Sequence, residues 1–286
     1  MAAASLHGRP AVSGTPFFKM TGSGNDFVFL DGRETSPGEW PEERVRVICD
    51  RRRGVGADGL VILTPVATGS IQMSYWNSDG SVGAMCGNAA LCSGRLAIHL
   101  QLVPPGEFCL LTDAGPVRVR FPVADEQAEI NLPDIELPVR PRGPGLGPGE
   151  RWMLLATAGV PHLVVRVDDI EGVEPALRGR SLRFDPLIGP AGANVNFVSP
   201  GATPHEPWLI RTYERGVEGE TLACGTGAVA SALSLAVQGE TTLPVRFRSR
   251  GGPELAVRGR LDGDRVRDVW LGGEGRLLFR GTWEPS

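Results

Sequence analysis

An α+β fold of two similar, pseudo-symmetric halves, each a mostly antiparallel sheet wrapped around a central helix, is what this 286-residue sequence predicts. Three observations predict it. A Cys-Gly pair heads an apolar run twice, as "AMCGNAALCSG" (Ala84 to Gly94) and "LACGTGAVASA" (Leu222 to Ala232). Short segments of period-two alternation fill most of the remaining chain. The stretch richest in proline and glycine, "LPVRPRGPGLGPGE" (Leu137 to Glu150), reads as a loop that divides the sequence into comparable parts. Each part then holds strands, one Cys-Gly-headed helix and more strands, an internal repeat on the scale of a domain.

The elements follow in order. "FFKM" around Lys19 is strand-like, and "DFVFLD" (Asp26 to Asp31) alternates as a strand. Pro41 to Arg52 is an amphipathic helix with proline in its first turn. "GVGADG" (Gly54 to Gly59) matches G-x-G-x-x-G but precedes the strand "LVIL" instead of following one, the wrong order for a dinucleotide site, so it reads as a turn. "IQMSYW" (Ile71 to Trp76) is a strand before the first Cys-Gly helix, which covers Asn88 to Leu100, and "PVRVRF" (Pro116 to Phe121) is a strand after it. In the second half "HLVVRV" (His162 to Val167) precedes a helix over Thr226 to Gln238. "PVRFRS" (Pro244 to Ser249), "ELAVRG" (Glu254 to Gly259) and "VRDVWL" (Val266 to Leu271) follow as strands. The expected division is residues 1–133, carrying Cys86, and 134–274, carrying Cys224, with a terminal strand over 275–286 returning to complete the first half.

Composition narrows the function classes. With 29 basic and 33 acidic residues spread along the chain, net charge −4, no basic arm suggests nucleic acid or an anionic membrane. No apolar run approaches the ~20 residues that span a bilayer, and the first 14 residues lack the apolar core of a signal peptide. A cytoplasmic protein is expected. Five cysteines, an odd number without a C-x2-C pair, argue for reduced thiols and against structural zinc. Lys19 is the sole lysine, which makes a pyridoxal-phosphate Schiff base improbable.

The chemistry gathers at the two Cys-Gly pairs. A helix N-terminus carries unpaired N–H groups and roughly half a positive charge, so Cys86 and Cys224 stand where a thiolate is favoured, with a pKa expected to fall from about 8.5 toward neutrality. The following pairs, Gly87-Asn88 and Gly225-Thr226, let backbone N–H groups approach a carboxylate. Inverting a carbon beside a carboxylate needs one group to remove a proton from one face and another to return one to the opposite face. Two thiols facing each other across a cleft supply that pair, and the carboxylate cradles would stabilise the carbanion between them. The bland alternative is two buried cysteines at the heads of two core helices.

At these residues the sequence resembles the diaminopimelate epimerases, through "FFKMTGSGNDFVFLDG", "RRGVGADGL", "NSDGSVGAMCGNAALC", "GVPH", "NVNFV" and "YERGVEGETLACGTGA" in order. The resemblance implies two like domains around a cleft, no cofactor, a small-molecule amino-acid substrate, and a homodimer that interconverts LL- and meso-2,6-diaminopimelate. It further implies that Cys86 and Cys224 are the acid/base pair and that His162 and Glu214 tune them. By the same token Asn25, Asn77, Asn194, Glu214 and Arg215 contact substrate, with Gly87, Asn88, Gly225 and Thr226 as the cradles. Arginine suits a distal carboxylate, and amide or carboxylate oxygens suit an ammonium. Each residue also has a plain structural reading: Asn77 as a turn residue, His162 as a buried strand residue, Glu214 and Arg215 as a solvated pair.

The chain departs from the family's usual residues at Thr21, Ala89, Leu91 and Val160, and its loop at Val217 to Glu220 is longer than in many members. Valine at 160 lacks the side-chain amide expected near the substrate's distal end. Two other readings therefore stand beside the epimerase: a racemase for another amino acid, of the proline or hydroxyproline kind, and a non-enzymatic thiol redox protein.

Overall fold

The computed structural model describes residues 14–67, 69–121 and 127–284. Residues 1–13 and the last two residues of the expected terminal strand lie outside them. In chain order the elements are β1 (Thr15–Gly22), β2 (Asn25–Asp31), α1 (Glu42–Cys49), β3 (Gly59–Ala67), β4 (Ser70–Asn77), α2 (Gly87–His99), β5 (Phe108–Thr112), β6 (Gly115–Arg120), β7 (Ala128–Leu132) and β8 (Ile135–Glu136). The second half continues with β9 (Glu150–Ala158), β10 (Val160–Val167), α3 (Arg180–Arg183), β11 (Asn194–Ser199), β12 (Trp208–Glu214), β13 (Gly219–Thr221), α4 (Gly225–Val237), β14 (Val245–Ser249), β15 (Glu254–Asp262), β16 (Arg265–Gly273) and β17 (Arg276–Trp283).

The halves repeat one pairing pattern. In the first, β1–β2 is antiparallel, β2–β3 parallel, β3–β4 antiparallel, β4–β5 parallel, and β5–β6 and β6–β7 antiparallel. In the second, β9–β10 is antiparallel, β10–β11 parallel, β11–β12 antiparallel, β12–β14 parallel, and β14–β15 and β15–β16 antiparallel. Each parallel pair needs a crossover, and α2 and α4 make the equivalent ones, between β4 and β5 and between β12 and β14. The helices therefore sit under their own sheets for a topological reason.

The halves also exchange strands. β7 and β16 pair antiparallel, from Val269 opposite Leu132 to Gly273 opposite Ala128, and this seam joins the two sheets. Beyond it β17 pairs with β1 of the first half. β8 also pairs with β16, and Val139 bridges to Leu155 of β9. Apart from that bridge, most of the Pro/Gly stretch over 137–150 is irregular, as its composition requires.

Both central helices are apolar because they are enclosed. Ala89 to Gly94 of α2 and Gly227 to Leu235 of α4 are buried, and one core cluster runs through both helices. The small residues permit close sheets: a β-carbon added at Gly94 would lie 2.7 Å from Val119 and 3.1 Å from Ala128. α1 is shorter than the Pro41 to Arg52 expected, with Pro41 as its N-cap and its last turn at Cys49. The cause is Asp50, whose carboxylate accepts the backbone N–H groups of Arg52 and Arg53 at 2.8 Å each and folds the arginine run into a turn.

Candidate active site

Cys86 and Cys224 are the N-cap residues of α2 and α4, both in extended backbone conformation. Cys86 Sγ accepts hydrogen bonds from the backbone N–H groups of Ala89 and Asn88. Cys224 Sγ accepts from those of Gly227 and Thr226 and lies 3.7 Å from the Thr226 hydroxyl. The two thiols are thus held alike, each by orphan donors of a helix's first turn.

The seam brings these two helix starts together. A β-carbon at Gly87 would touch Ile130 at 3.8 Å, and one at Gly225 would meet Leu271 at 2.7 Å. Ile130 and Leu271 are direct cross-strand partners in the β7–β16 pair. Glu214 supplies a second link, because its charge acts on both thiols. The β1–β2 turn supplies a third: a β-carbon at Gly24 would lie 3.0 Å from Leu222, two residues before Cys224.

Electrostatically the thiols differ from expectation. Burial pushes Cys86 above the ordinary thiol value, against its two N–H donors, with Asp58 and Glu214 adding to the rise. Cys224 is pushed up to about 11, by burial first and Glu214 next, while Thr226 and the Gly227 and Thr226 N–H groups act in the opposite direction. The helix-start placement that led us to expect a near-neutral pKa is present. Loss of water outweighs it.

Around Cys86, Asn88 donates its side-chain amide to Asn25 Oδ1 at 2.8 Å, and Asn25 donates to Asp58 Oδ2 at 2.9 Å. Asp58 closes the "GVGADG" turn, so that turn orients Asn25. Asn77, the last residue of β4, accepts from the Tyr75 hydroxyl at 2.9 Å and donates to Ser81 Oγ at 3.0 Å. These contacts place Asn77 in a turn, as its plain structural reading has it.

Around Cys224, His162 and Asn194 are register partners on β10 and β11. Both are buried. Asn194 Oδ1 accepts the Arg215 backbone N–H at 2.7 Å, which fixes the start of the loop after β12. His162 is pushed down to about 3, by burial first and the Arg215 guanidinium second. Its Nδ1 lies 3.2 Å from Asn196 Nδ2, and its Nε2 has no partner. Glu214 and Arg215 are half-buried, and no ion pair joins them to each other or to another described residue. Val160 opens β10, half-buried, opposite Ala158.

Tyr75, Asp58, Asn196 and Thr212 were not singled out by the sequence. Tyr75, Asp58 and Asn196 contact residues that were, Asn77, Asn25 and His162, and Thr212 contacts Asn196. Asp58 and Asn196 lay within the quoted stretches "GVGADG" and "NVNFV".

Comparison with known proteins places this geometry. A profile of the family described as diaminopimelate epimerase matches residues 17–132 and 154–262. A diaminopimelate epimerase of Gemmatimonas aurantiaca is 43% identical over 277 residues, covering 93% of this chain and 98% of its own. The Aquifex aeolicus enzyme of the same name is 36% identical, with 93% and 96% covered. Among solved structures, a Bacillus anthracis protein of the PhzF family of phenazine biosynthesis proteins superposes with a TM-score of 0.73 at 12% identity, covering 96% of this chain and 100% of that one. A probable proline racemase of Agrobacterium radiobacter superposes with a TM-score of 0.59 at 18% identity, with 95% and 93% covered. At such identities the structural likenesses establish the two-domain α+β fold.

Proposed function

The chain belongs to the diaminopimelate epimerase family, so it is an isomerase that epimerises diaminopimelate, and we propose that it does so by two-base proton transfer between Cys86 and Cys224. In this reading one sulfur, as thiolate, takes the α-proton of LL-2,6-diaminopimelate, and the other, as thiol, gives a proton to the opposite face to form the meso isomer. The return reaction exchanges their roles. No redox change or cofactor enters the step.

The observation that carries this reading is the Ile130–Leu271 pair, since each member supports one of the glycines that follow the two cysteines. The reacting α-carboxylate would be held by N–H groups of the first turns at Gly87-Asn88 and Gly225-Thr226. As charge develops, those donors would stabilise the aci-carboxylate. The distal amino-acid head would be held by Arg215 through its carboxylate, and by Glu214 and the oxygens of Asn77 and Asn194 through its ammonium. Asn25 orients Asn88 within the first cradle. The absence of an ion-pair partner for Arg215 among the described residues supports its assignment to an anionic ligand.

We further place the protein in the cytoplasm as a homodimer. All five cysteines are free, as a reducing compartment would keep them. No helix among the described residues is long and apolar enough to cross a membrane. β17, paired with β1 on one edge, exposes Leu278 and Phe279, a face suited to a second copy.

The test is incubation of the reduced protein with LL-diaminopimelate in heavy water, following deuterium at the α-carbon by mass spectrometry. Wash-in is expected for the native chain, with a loss of about 10²–10⁴-fold in Cys86→Ala and in Cys224→Ala. Undiminished exchange in either variant rules out the two-thiol mechanism.

A further inference from the structure

The repeat allows the two halves to be laid over each other residue by residue. Phe27 and Gly59 are the pair at the start of the parallel β2–β3 ladder, and His162 and Asn194 hold that place in β10–β11. Gly59 pairs onward with Asn77, the last residue of β4, and the Val195–Tyr213 pair sets Asn194 opposite Glu214, the last residue of β12. On this register Asn25 corresponds to Val160 and Asp58 to Ala193. Asn88 corresponds to Thr226, each two residues after its cysteine. The first half therefore holds a carboxylate and two amides where the second holds two apolar side chains and a hydroxyl.

The three polar side chains of the first half form a hydrogen-bonded chain with a fixed direction. Asp58 Oδ2 accepts from Asn25 Nδ2 at 2.9 Å, and Asn25 Oδ1 accepts from Asn88 Nδ2 at 2.8 Å. A carboxylate paired with a guanidinium can only accept, and Asp58 Oδ1 is so paired, with Arg51 Nη2 at 2.8 Å. Asn25 must therefore give its nitrogen to Asp58 and turn its oxygen to Asn88, which answers with its own nitrogen. The last atom in the sequence, Asn88 Oδ1, is left as an acceptor without a hydrogen-bond partner among the described residues. The anchor cannot turn. Asp58 Oδ2 also accepts the Asp26 backbone N–H at 3.2 Å, and the Asp58 backbone bonds to Asp26 and Ser78 at 2.9 and 3.0 Å. Arg51 is held in turn by both oxygens of Asp26, at 2.6 and 3.0 Å, and Asp26 pairs with the buried Lys19 at 2.7 Å.

An amino acid carries an ammonium beside its carboxylate. The N–H donors of the two first turns suit the carboxylate and repel the ammonium, which needs an oxygen. We propose that Asp58 is a positioning residue for Asn88, holding its Oδ1 as the acceptor for the ammonium on the reacting carbon. No equivalent chain reaches Thr226, because the side chains of Val160 and Ala193 neither donate nor accept, and the Thr226 hydroxyl lies beside its own Cys224. A carboxylate alone fits the twin cradles either way round. One amide acceptor, in the first half only, gives the substrate a single orientation relative to them. The inference deepens the diaminopimelate reading and rests on it for the identity of the ligand.

The experiment compares steady-state kinetics on LL-diaminopimelate for the native chain, Asp58→Ala and the double variant Asp58→Ala/Asn25→Asp. In Asp58→Ala nothing dictates which way Asn25 faces, so KM should rise about tenfold or more with kcat within about twofold, as for a contact made alike in ground and transition states. In the double variant the carboxylate at position 25 can only accept, so Asn88 must again donate to it and most of the loss in KM should be recovered. A carboxylate on a different strand would not replace an Asp58 that merely supported the fold. Neutron diffraction from the deuterated native protein, free of ligand, reads the same point without a variant and decides it if Asp58→Ala does not fold: the Asn88 amide should carry its deuterons on the atom that faces Asn25. An unchanged KM in Asp58→Ala, a loss confined to kcat, no recovery in the double variant, or an Asn88 oxygen facing Asn25 overturns the proposal. Neither KM nor the deuteron positions depend on which groups move the α-proton. These results therefore stand apart from undiminished α-exchange in Cys86→Ala, which would count against the two-thiol mechanism alone.

Discussion

Asn196 Nδ2 lies 3.2 Å from Nδ1 of His162, and the Thr212 hydroxyl donates to Asn196 Oδ1 at 3.0 Å. The Leu163 carbonyl, 3.5 Å from Asn196 Nδ2, can only accept, so it sets the amide with its nitrogen on the His162 side and its oxygen toward Thr212. With Oδ1 accepting from Thr212, the amide nitrogen faces His162 as a donor, so Nδ1 must accept and the ring proton must sit on Nε2. Burial and the Arg215 charge hold this imidazole neutral, its pKa pushed down to about 3. The expected outcome is a ¹⁵N spectrum in which His162 remains the Nε2–H tautomer from pH 5 to pH 9. Asn196→Asp, which presents an acceptor, should move the proton to Nδ1. An Nδ1–H tautomer in the native chain would show that the amide is turned the other way.

Two raised thiol pKa values give a pH dependence with a definite sign. The proposed two-thiol mechanism requires one sulfur to be ionised, and burial raises both thiols, so under it kcat/KM should climb about tenfold per unit over pH 6–8. Stability runs the other way. Cys224 binds its proton more tightly folded, at about 11, than unfolded, near 8.5, so its contribution is complete below about pH 8.5 and is lost as pH rises toward 11. The Tm should fall over that interval, and by less in Cys224→Ala. A Tm profile identical in the two proteins would remove Cys224 as the cause.

Local features of this molecule were legible in the chain, and relations between distant strands were not. The two central helices announced themselves through small, uncharged runs after a Cys-Gly start, because a helix without a charged face has to be enclosed. The seven strands expected from alternation all formed, although β2 and β10 are buried on both faces. The parallel pairs β2–β3 and β10–β11 and the strand exchange at the seam leave no local pattern, being set by which edges meet after the crossovers close. Tyr75 and Thr212 were illegible for the same reason. Their roles depend on register, and nothing around them in sequence distinguishes them from other strand residues. The thiol pKa failed differently: the helix-start argument was sound, but it had no measure of how much water folding would remove.

The seam suggests where the alignment of the two thiols is most vulnerable. Glu129, next to Ile130 on β7, is 2% exposed and accepts from Arg120 Nε of the first half and Arg258 Nε of the second, each at 2.6 Å. One carboxylate thus ties β6 and β15 to the strand pair on which both helix starts rest. Glu129→Gln keeps the shape and removes the charge, leaving two guanidinium groups facing each other across a neutral amide. Removing one partner of a fully buried pair costs about 3–5 kcal/mol. Both arginines here are about a third exposed, so water screens part of the loss, and about 2 kcal/mol is expected. In urea the midpoint should fall while the slope stays constant, because the mutation changes neither the folded nor the unfolded surface. Activity should fall as well, since the Glu129–Gly272 pairing adjoins that of Ile130 and Leu271, and a seam free to slip would no longer hold the two helix starts in register. A lower midpoint with full activity would show that apolar packing alone keeps the two helix starts in register.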